Sequence, residues 1–227
     1  VQARQSLLET QTLLDLAEEE SLIKGVVGWV DFRSDEVSEQ LERFASSPHL
    51  KGLRHVVQDE PDDQFILGAD FNRGIRALEG RDLVYDVLIF ARQLGPSLEF
   101  VRNHSEIPMV LDHIAKPTIE GGRVDPTWET EIREMAKLPN ITCKFSGVVT
   151  EVRDATWDIE TLRPYWDIVL EAFTPSRLMF GSDWPVCLLR SEYGRWLDSV
   201  RQLAAGLSED ERQDVFGGTA ARAYRLS

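Results

Sequence analysis

Short apolar runs and amphipathic helical patterns alternate along the whole chain, and this alternation restricts the fold more than any single residue. The runs are Ile23–Asp31 (IKGVVGWVD), Leu50–Gln58 (LKGLRHVVQ), Leu83–Phe90 (LVYDVLIF), Pro108–Ile114 (PMVLDHI), Asn140–Gly147 (NITCKFSG) and Arg177–Asp183 (RLMFGSD). They are rich in Val, Ile and Phe and nearly continuous in apolar character, as strands buried on both faces are. Their starts lie 25 to 37 residues apart, roughly the length of a βαβ unit. Strand–helix alternation of this kind predicts a parallel sheet covered by helices. No run is followed by G-x-G-x-x-G, and Gly121-Gly122 lacks that context, so a dinucleotide-binding sheet is a poor match. No linker, low-complexity tract or repeat beyond the βα period interrupts the pattern, so residues 1–227 are expected to form one domain.

The gaps carry helical faces. Leu7, Leu8, Leu13, Leu14 and Leu16 form the first, preceded by Ser6-x-x-Glu9, a capping box. Val37/Leu41/Phe44, Phe71/Ile75/Leu78 and Trp128/Ile132/Met135 repeat the spacing, and Gly95-Pro96 opens a helix with Pro in its first turn. Residues 157–173 read as a helix disturbed at Pro164. Trp196 and Val200 mark another, and Ser208-x-x-Glu211 caps a last one that stops at Gly217-Gly218.

In a (β/α)8 barrel the functional side chains sit where the strands end, and here most runs end in polar or ionisable residues. Asp183, after the buried run LMFGS and before Trp184-Pro185, is placed as a general base or metal ligand. His113 follows Asp112; strand alternation sends them to opposite faces, so only one can face the axis. Arg54 and His55 end their run with opposite faces too, and Arg54 suits a bidentate grip on carboxylate or sugar oxygens. Lys144 and Ser146 alternate with Cys143 and Phe145 and would line a pocket floor. Tyr85, Asp86 and Gln93 could hydrogen-bond a substrate, and Trp29 and Trp184 could form an aromatic wall. His49 and His104 are assigned to the surface. No G-x-S-x-G, H-E-x-x-H or C-x-x-C is present.

Composition removes other classes. The chain has 25 Lys+Arg against 39 Asp+Glu, a net charge of −14, which repels nucleic acid and anionic membranes. No apolar stretch of about 18 residues is available for a transmembrane helix. Cys143 and Cys187 sit in apolar surroundings and are expected to be reduced thiols of a cytoplasmic protein. The sequence leaves the oligomeric state open.

Read together, VVGWVDF (Val26–Phe32), KGLRHVVQDEPD (Lys51–Asp62), YDVLIFARQL (Tyr85–Leu94), VLDHIAKP (Val110–Pro117), KFSGVVTE (Lys144–Glu151), RLMFGSDWPVC (Arg177–Cys187) and VFGGTAARAYRL (Val215–Leu226) resemble the amidohydrolase-related sugar-lactonase family. That family includes hydrolases of L-fuconolactone, L-rhamnonolactone and 2-pyrone-4,6-dicarboxylate. The resemblance implies a distorted (β/α)8 TIM-type barrel that hydrolyses a cyclic ester. It implies that Asp183 activates the attacking water, that His113 polarises the lactone carbonyl or holds a metal, and that Arg54, Lys144, Tyr85 and Trp184 contact substrate. Some relatives use no metal and others a single divalent ion such as zinc, for which His113 and Asp183 would be ligands. The superfamily's usual histidine after the fifth strand has no counterpart in YDVLIFA. Thr219 replaces a frequent Asn and is expected to cap.

The family's first strand ends in His-x-His, which this sequence lacks. The chain also begins at Val1, with Met109, Met135 and Met179 as its methionines. The resemblance therefore implies that strand 1 and most of strand 2 are missing, with six complete strands, 3 to 8, remaining. Two competing expectations are metal-dependent amide hydrolysis or decarboxylation on the same barrel, and a non-catalytic barrel remnant.

Overall fold

A computed structural model describes residues 1–226. Six strands form one parallel sheet in sequence order: β1 (Val26–Gly28), β2 (Leu50–His55), β3 (Val84–Val87), β4 (Met109–Leu111), β5 (Ile141–Phe145) and β6 (Leu178–Phe180). Each lies inside one of the apolar runs and is shorter than it. Apolar composition reports burial, and the chain stays buried after leaving the sheet at Val57 and through the turn Asp112–Ala115.

The helices are α1 (Leu7–Glu19), α2 (Val37–Phe44), α3 (Ala69–Ile75), α4 (Leu94–Asn103), α5 (Pro126–Ala136), α6 (Ile159–Phe173), α7 (Tyr193–Leu203), α8 (Glu209–Gln213) and α9 (Thr219–Ala223). They pack on outward strand residues such as Leu53, Val87, Leu111 and Phe145, with Trp128, Trp166 and Trp196 fully buried between layers. The opposite strand faces enclose a second cluster of Val27, Val84, Val110, Met179 and Tyr224. Val27 of β1 and Met179 of β6 meet there without backbone pairing, so the sheet curls into an open barrel whose edges are β1 and β6. Beside β1, the Gln2 amide donates to the Val27 carbonyl at 2.7 Å.

Four local expectations are corrected. Ser6 makes no side-chain cap; Glu9 instead accepts from the Ala3 and Arg4 amides at 3.1 and 2.8 Å. The buried face of α1 is Thr10, Leu14 and Ala17, while Leu8 is exposed. Thr10 takes the central place because its hydroxyl bonds both the amide and the carbonyl of Trp29, at 2.8 Å each, just past the end of β1. α6 runs unbroken through Pro164 from a capping box at Asp158 and Thr161. The capping box at Ser208 and Glu211 forms, but Gly217-Gly218 does not stop the chain: a wide turn over Asp214–Gly218 leads into α9. There the Thr219 hydroxyl donates to the Pro175 carbonyl at 2.9 Å.

Candidate active site

Above the inner apolar cluster lies a layer of charge. Arg54 of β2, Asp86 of β3, Asp112 just past β4 and Lys144 of β5 point inward. Lys144 Nζ lies 2.6 Å from Asp86 Oδ2 and 2.7 Å from Asp112 Oδ1, and Arg54 Nη1 donates to Asp112 Oδ2 at 2.8 Å. Tyr224, after α9, donates its hydroxyl to Asp86 at 2.8 Å. The rest of the Arg54 guanidinium is held by Gln2, through its side chain and its carbonyl. Burial pushes Asp112 up, but Lys144 and Arg54 outweigh it and hold the carboxyl well below its usual range. Burial likewise works against the Lys144 ammonium, and Asp112 and Asp86 overcome it, so Lys144 stays charged.

The next level holds His113, Ser146 and Asp183. β4 ends at Leu111, and His113, Ile114, Ala115 and Lys116 all take left-handed backbone, with φ of 55°, 48°, 58° and 46°. Such residues cost roughly 1–2 kcal/mol each when not glycine, and strain of this kind concentrates at functional sites. The Trp128 indole anchors the turn by donating to the Ile114 carbonyl at 2.9 Å. The left-handed turn breaks strand alternation, so Asp112 and His113 both reach the interior; the expectation that only one could is corrected. His113 Nδ1 lies 2.7 Å from Ser146 Oγ, and His113 Nε2 lies 3.7 Å from Asp183 Oδ1. Asp183 is itself left-handed (φ 51°), and its Oδ2 is buried without a hydrogen-bond partner.

Burial sets the protonation of both groups. It pushes the Asp183 carboxyl up to about 6, against the opposing charge of Lys116. It pushes the His113 imidazole down to about 3, against the pull of Asp112. Near neutral pH the pair is a carboxylate beside a neutral imidazole, a suitable combination for taking a proton and donating a hydrogen bond. Gly147 forms the wall behind them. Its φ is +63°, and a Cβ there would stand 2.8 Å from His113 Nδ1 and 3.0 Å from Asp183 Oδ2.

The structure thus brings His113, Ser146 and Asp183 together and gives other residues different work. Arg54 and Lys144, expected to hold substrate, are occupied by Asp112, Asp86 and Gln2. Tyr85 faces outward, edge-on to Phe32 and Phe100, with its hydroxyl unpartnered in the outer core, and is not brought together with His113 and Asp183. Gln93 caps its own turn, accepting from the Phe90 amide at 2.9 Å. Trp184 stands at the rim beside Asp183, 64% exposed. His55 faces outward onto Phe65. His104, assigned to the surface, is 2% exposed and bonded to Asn72 at 2.7 Å. Sequence reasoning missed Tyr224, Gln2 and Gly147. Only Gly147 carries a local signal, a glycine directly after an inward polar residue at a strand end. A cavity of about 420 Å³ around Phe44, Leu50 and Arg81 lies at the opposite ends of the strands from this chemistry.

His113 and Asp183 offer two donors to a metal. No group of three or more His, Cys, Asp or Glu converges among the described residues, whereas a catalytic zinc takes three protein ligands. The described donor set falls short of such a site. Nor is any helix among the described residues long and apolar enough to cross a membrane.

Comparison with known proteins finds relatives along the whole chain. Over 239 aligned residues the chain is 43% identical to the L-fucono-1,5-lactonase of Burkholderia multivorans, covering 100% of this chain and 79% of that protein. It is 27% identical over 208 residues to the L-rhamnono-gamma-lactonase of Scheffersomyces stipitis, covering 81% of this chain and 62% of that one. The crystal structure of a Burkholderia multivorans amidohydrolase with bound zinc superposes with a TM-score of 0.92 at 43% identity, over 100% of this chain and 82% of that chain. With the Amidohydrolase family matching residues 2–226, the chain belongs to that family.

Proposed function

We propose that this protein opens a sugar-acid lactone by hydrolysis, with Asp183 as the base that activates water. One observation carries the reading: Asp183 Oδ2 is buried and unpartnered beside a neutral imidazole. Buried carboxylate oxygens normally have partners, and one left open and tuned to about 6 is suited to receiving a proton. The two relatives named as sugar lactonases support the substrate class. The free, buried thiols of Cys143 and Cys187 support the cytoplasm as its compartment.

The steps follow from the chain's own groups. Ser146 donates its hydroxyl hydrogen to His113 Nδ1, which leaves the Nε2 proton to point at the lactone carbonyl. Asp183 removes a proton from water, and the water oxygen attacks the carbonyl carbon. The tetrahedral intermediate collapses, the bond to the ring oxygen breaks, and Asp183 returns the proton to that oxygen. Trp184 walls the entrance. In this reading the inner charged layer holds the Asp112–His113 turn in place and does not contact the lactone. The test is Asp183→Asn assayed with L-fucono-1,5-lactone and L-rhamnono-γ-lactone. Loss of a general base should lower kcat/KM by about 10²- to 10⁴-fold; near wild-type turnover overturns the role.

A further inference from the structure

The reaction proposed above puts a full negative charge on the carbonyl oxygen, and the ring-opened acid keeps a negative charge once it ionises. His113 is neutral and offers a single hydrogen bond. Arg54 and Lys144 have their donors directed at Asp112, Asp86 and Gln2. Another cation lies on the same turn as His113. The left-handed run His113–Lys116 ends with the Lys116 amide donating to the His113 carbonyl at 2.8 Å, followed by Pro117. No carboxylate among the described residues lies within ion-pair distance of Lys116, and its charge acts on Asp183 and Glu151 from beyond that distance.

We propose that Lys116 is a catalytic residue whose ammonium binds the oxyanion of the opening lactone and then the product carboxylate, an inference that rests on the lactonase reading. Three observations carry it. The Lys116 ammonium lies 5.5 Å from the centre of the Phe90 ring, a cation–π contact that steadies a flexible side chain without neutralising it. The segment is tied down just beyond Lys116: the Ile119 amide donates to the Glu151 carbonyl at 3.1 Å, and the Arg153 amide donates to the Ile119 carbonyl at 2.8 Å. Lys116 is also the strongest charge acting on Asp183, so its field reaches the reacting atoms. A positive charge acting on a largely buried carboxylate is screened less than one in open water.

The balance of the step is simple. Water loses a proton to Asp183 and forms the new C–O bond, and the carbonyl electron pair moves to oxygen, where Lys116 meets it. The pair then returns, the ring C–O bond breaks, and the ring oxygen takes the proton from Asp183. Lys116 contributes charge and exchanges no proton.

The experiment compares wild type, Lys116→Met, Lys116→Asn and Lys116→Arg with L-fucono-1,5-lactone as substrate and L-fuconate as product inhibitor. Asn is included because it tolerates left-handed backbone. Loss of one oxyanion partner should lower kcat by about 10²-fold in the Met and Asn variants with KM little changed, and Arg should recover most of it. Inhibition by L-fuconate should weaken in the two neutral variants alone. If wild type opens no sugar lactone, the lactonase reading itself fails. If wild type is active and the Met and Asn variants keep its kcat and its L-fuconate inhibition, or Arg does no better than Met, the role of Lys116 is overturned and the lactonase reading stands.

Discussion

Two sets of ionisable groups sit one above the other at the ends of the strands, and they are satisfied to different degrees. In the lower set, Arg54, Asp86, Asp112 and Lys144 each have an opposite charge within 2.8 Å, and Tyr224 adds its hydroxyl from the C-terminal segment. In the upper set, His113 and Asp183 stand 3.7 Å apart, and one carboxylate oxygen has no partner. Both sets are buried, so solvation does not explain the difference. The lower set is connected the way a structural network must be to tolerate burial. The upper set is left open where a reacting molecule can complete it. The lesson is that burial of charge alone does not mark an active site, whereas burial of charge without a partner does.

The sharpest way to break this comparison is Lys144→Met. The variant removes the cation that Asp86 and Asp112 share. Removing one partner of a buried ion pair costs about 3–5 kcal/mol, so urea unfolding should show a loss of that size. Asp183→Asn removes a desolvated carboxylate that has one unpartnered oxygen and only a neutral imidazole 3.7 Å from the other, and should cost almost nothing in the same assay. Equal losses in the two variants would mean that the two sets do not differ in kind.

What the sequence could reveal follows the same division. All six strands were legible, because burial on both faces writes a continuous apolar run. Asp183 was legible because a carboxylate directly after such a run stands out. The inward turn of both Asp112 and His113 was not, since a run of left-handed residues at His-Ile-Ala-Lys has no glycine to announce it. The engagement of Arg54 and Lys144 was equally hidden. Their inward direction follows from alternation, but their partners come from β3, from the turn after β4 and from Gln2, 52 residues before Arg54. Tyr224 reaches Asp86 across 138 residues, a distance over which no spacing rule operates. Local pattern therefore found the open set and left the ion pairs of the closed one unseen.

Gly147→Ala tests whether the geometry of the upper set is what matters. The new methyl would enter the space of His113 Nδ1 and Asp183 Oδ2 at a position with positive φ. A shift of about 1 Å at reacting groups can cost about 10²-fold in rate, and that is the loss we expect in kcat/KM. The left-handed alanine itself should cost about 1–2 kcal/mol of stability, less than Lys144→Met. Full activity in Gly147→Ala would show that the pair need not hold its present arrangement.

The smallest effect separates the sets by pH. Asp183 is raised to about 6 and must be ionised to take a proton from water. Activity should therefore be full above that value and fall about tenfold per unit below it. His113, lowered to about 3, stays neutral throughout and adds no second limb near the usual histidine value. Asp112 has the opposite shift. Its carboxyl is held below its unfolded value, so the stability it contributes is present above about pH 4 and is lost only as pH falls through its lower folded value. Between about pH 6 and pH 5 Asp183 should switch off while Asp112 stays ionised and keeps its pairs with Lys144 and Arg54. Kinetics and circular dichroism on the same samples across that interval test this directly. A loss of activity that tracks loss of structure would tie both sets to one event, whereas an activity limb over an unchanged spectrum would assign the chemistry to Asp183 and the architecture to the charges beneath it.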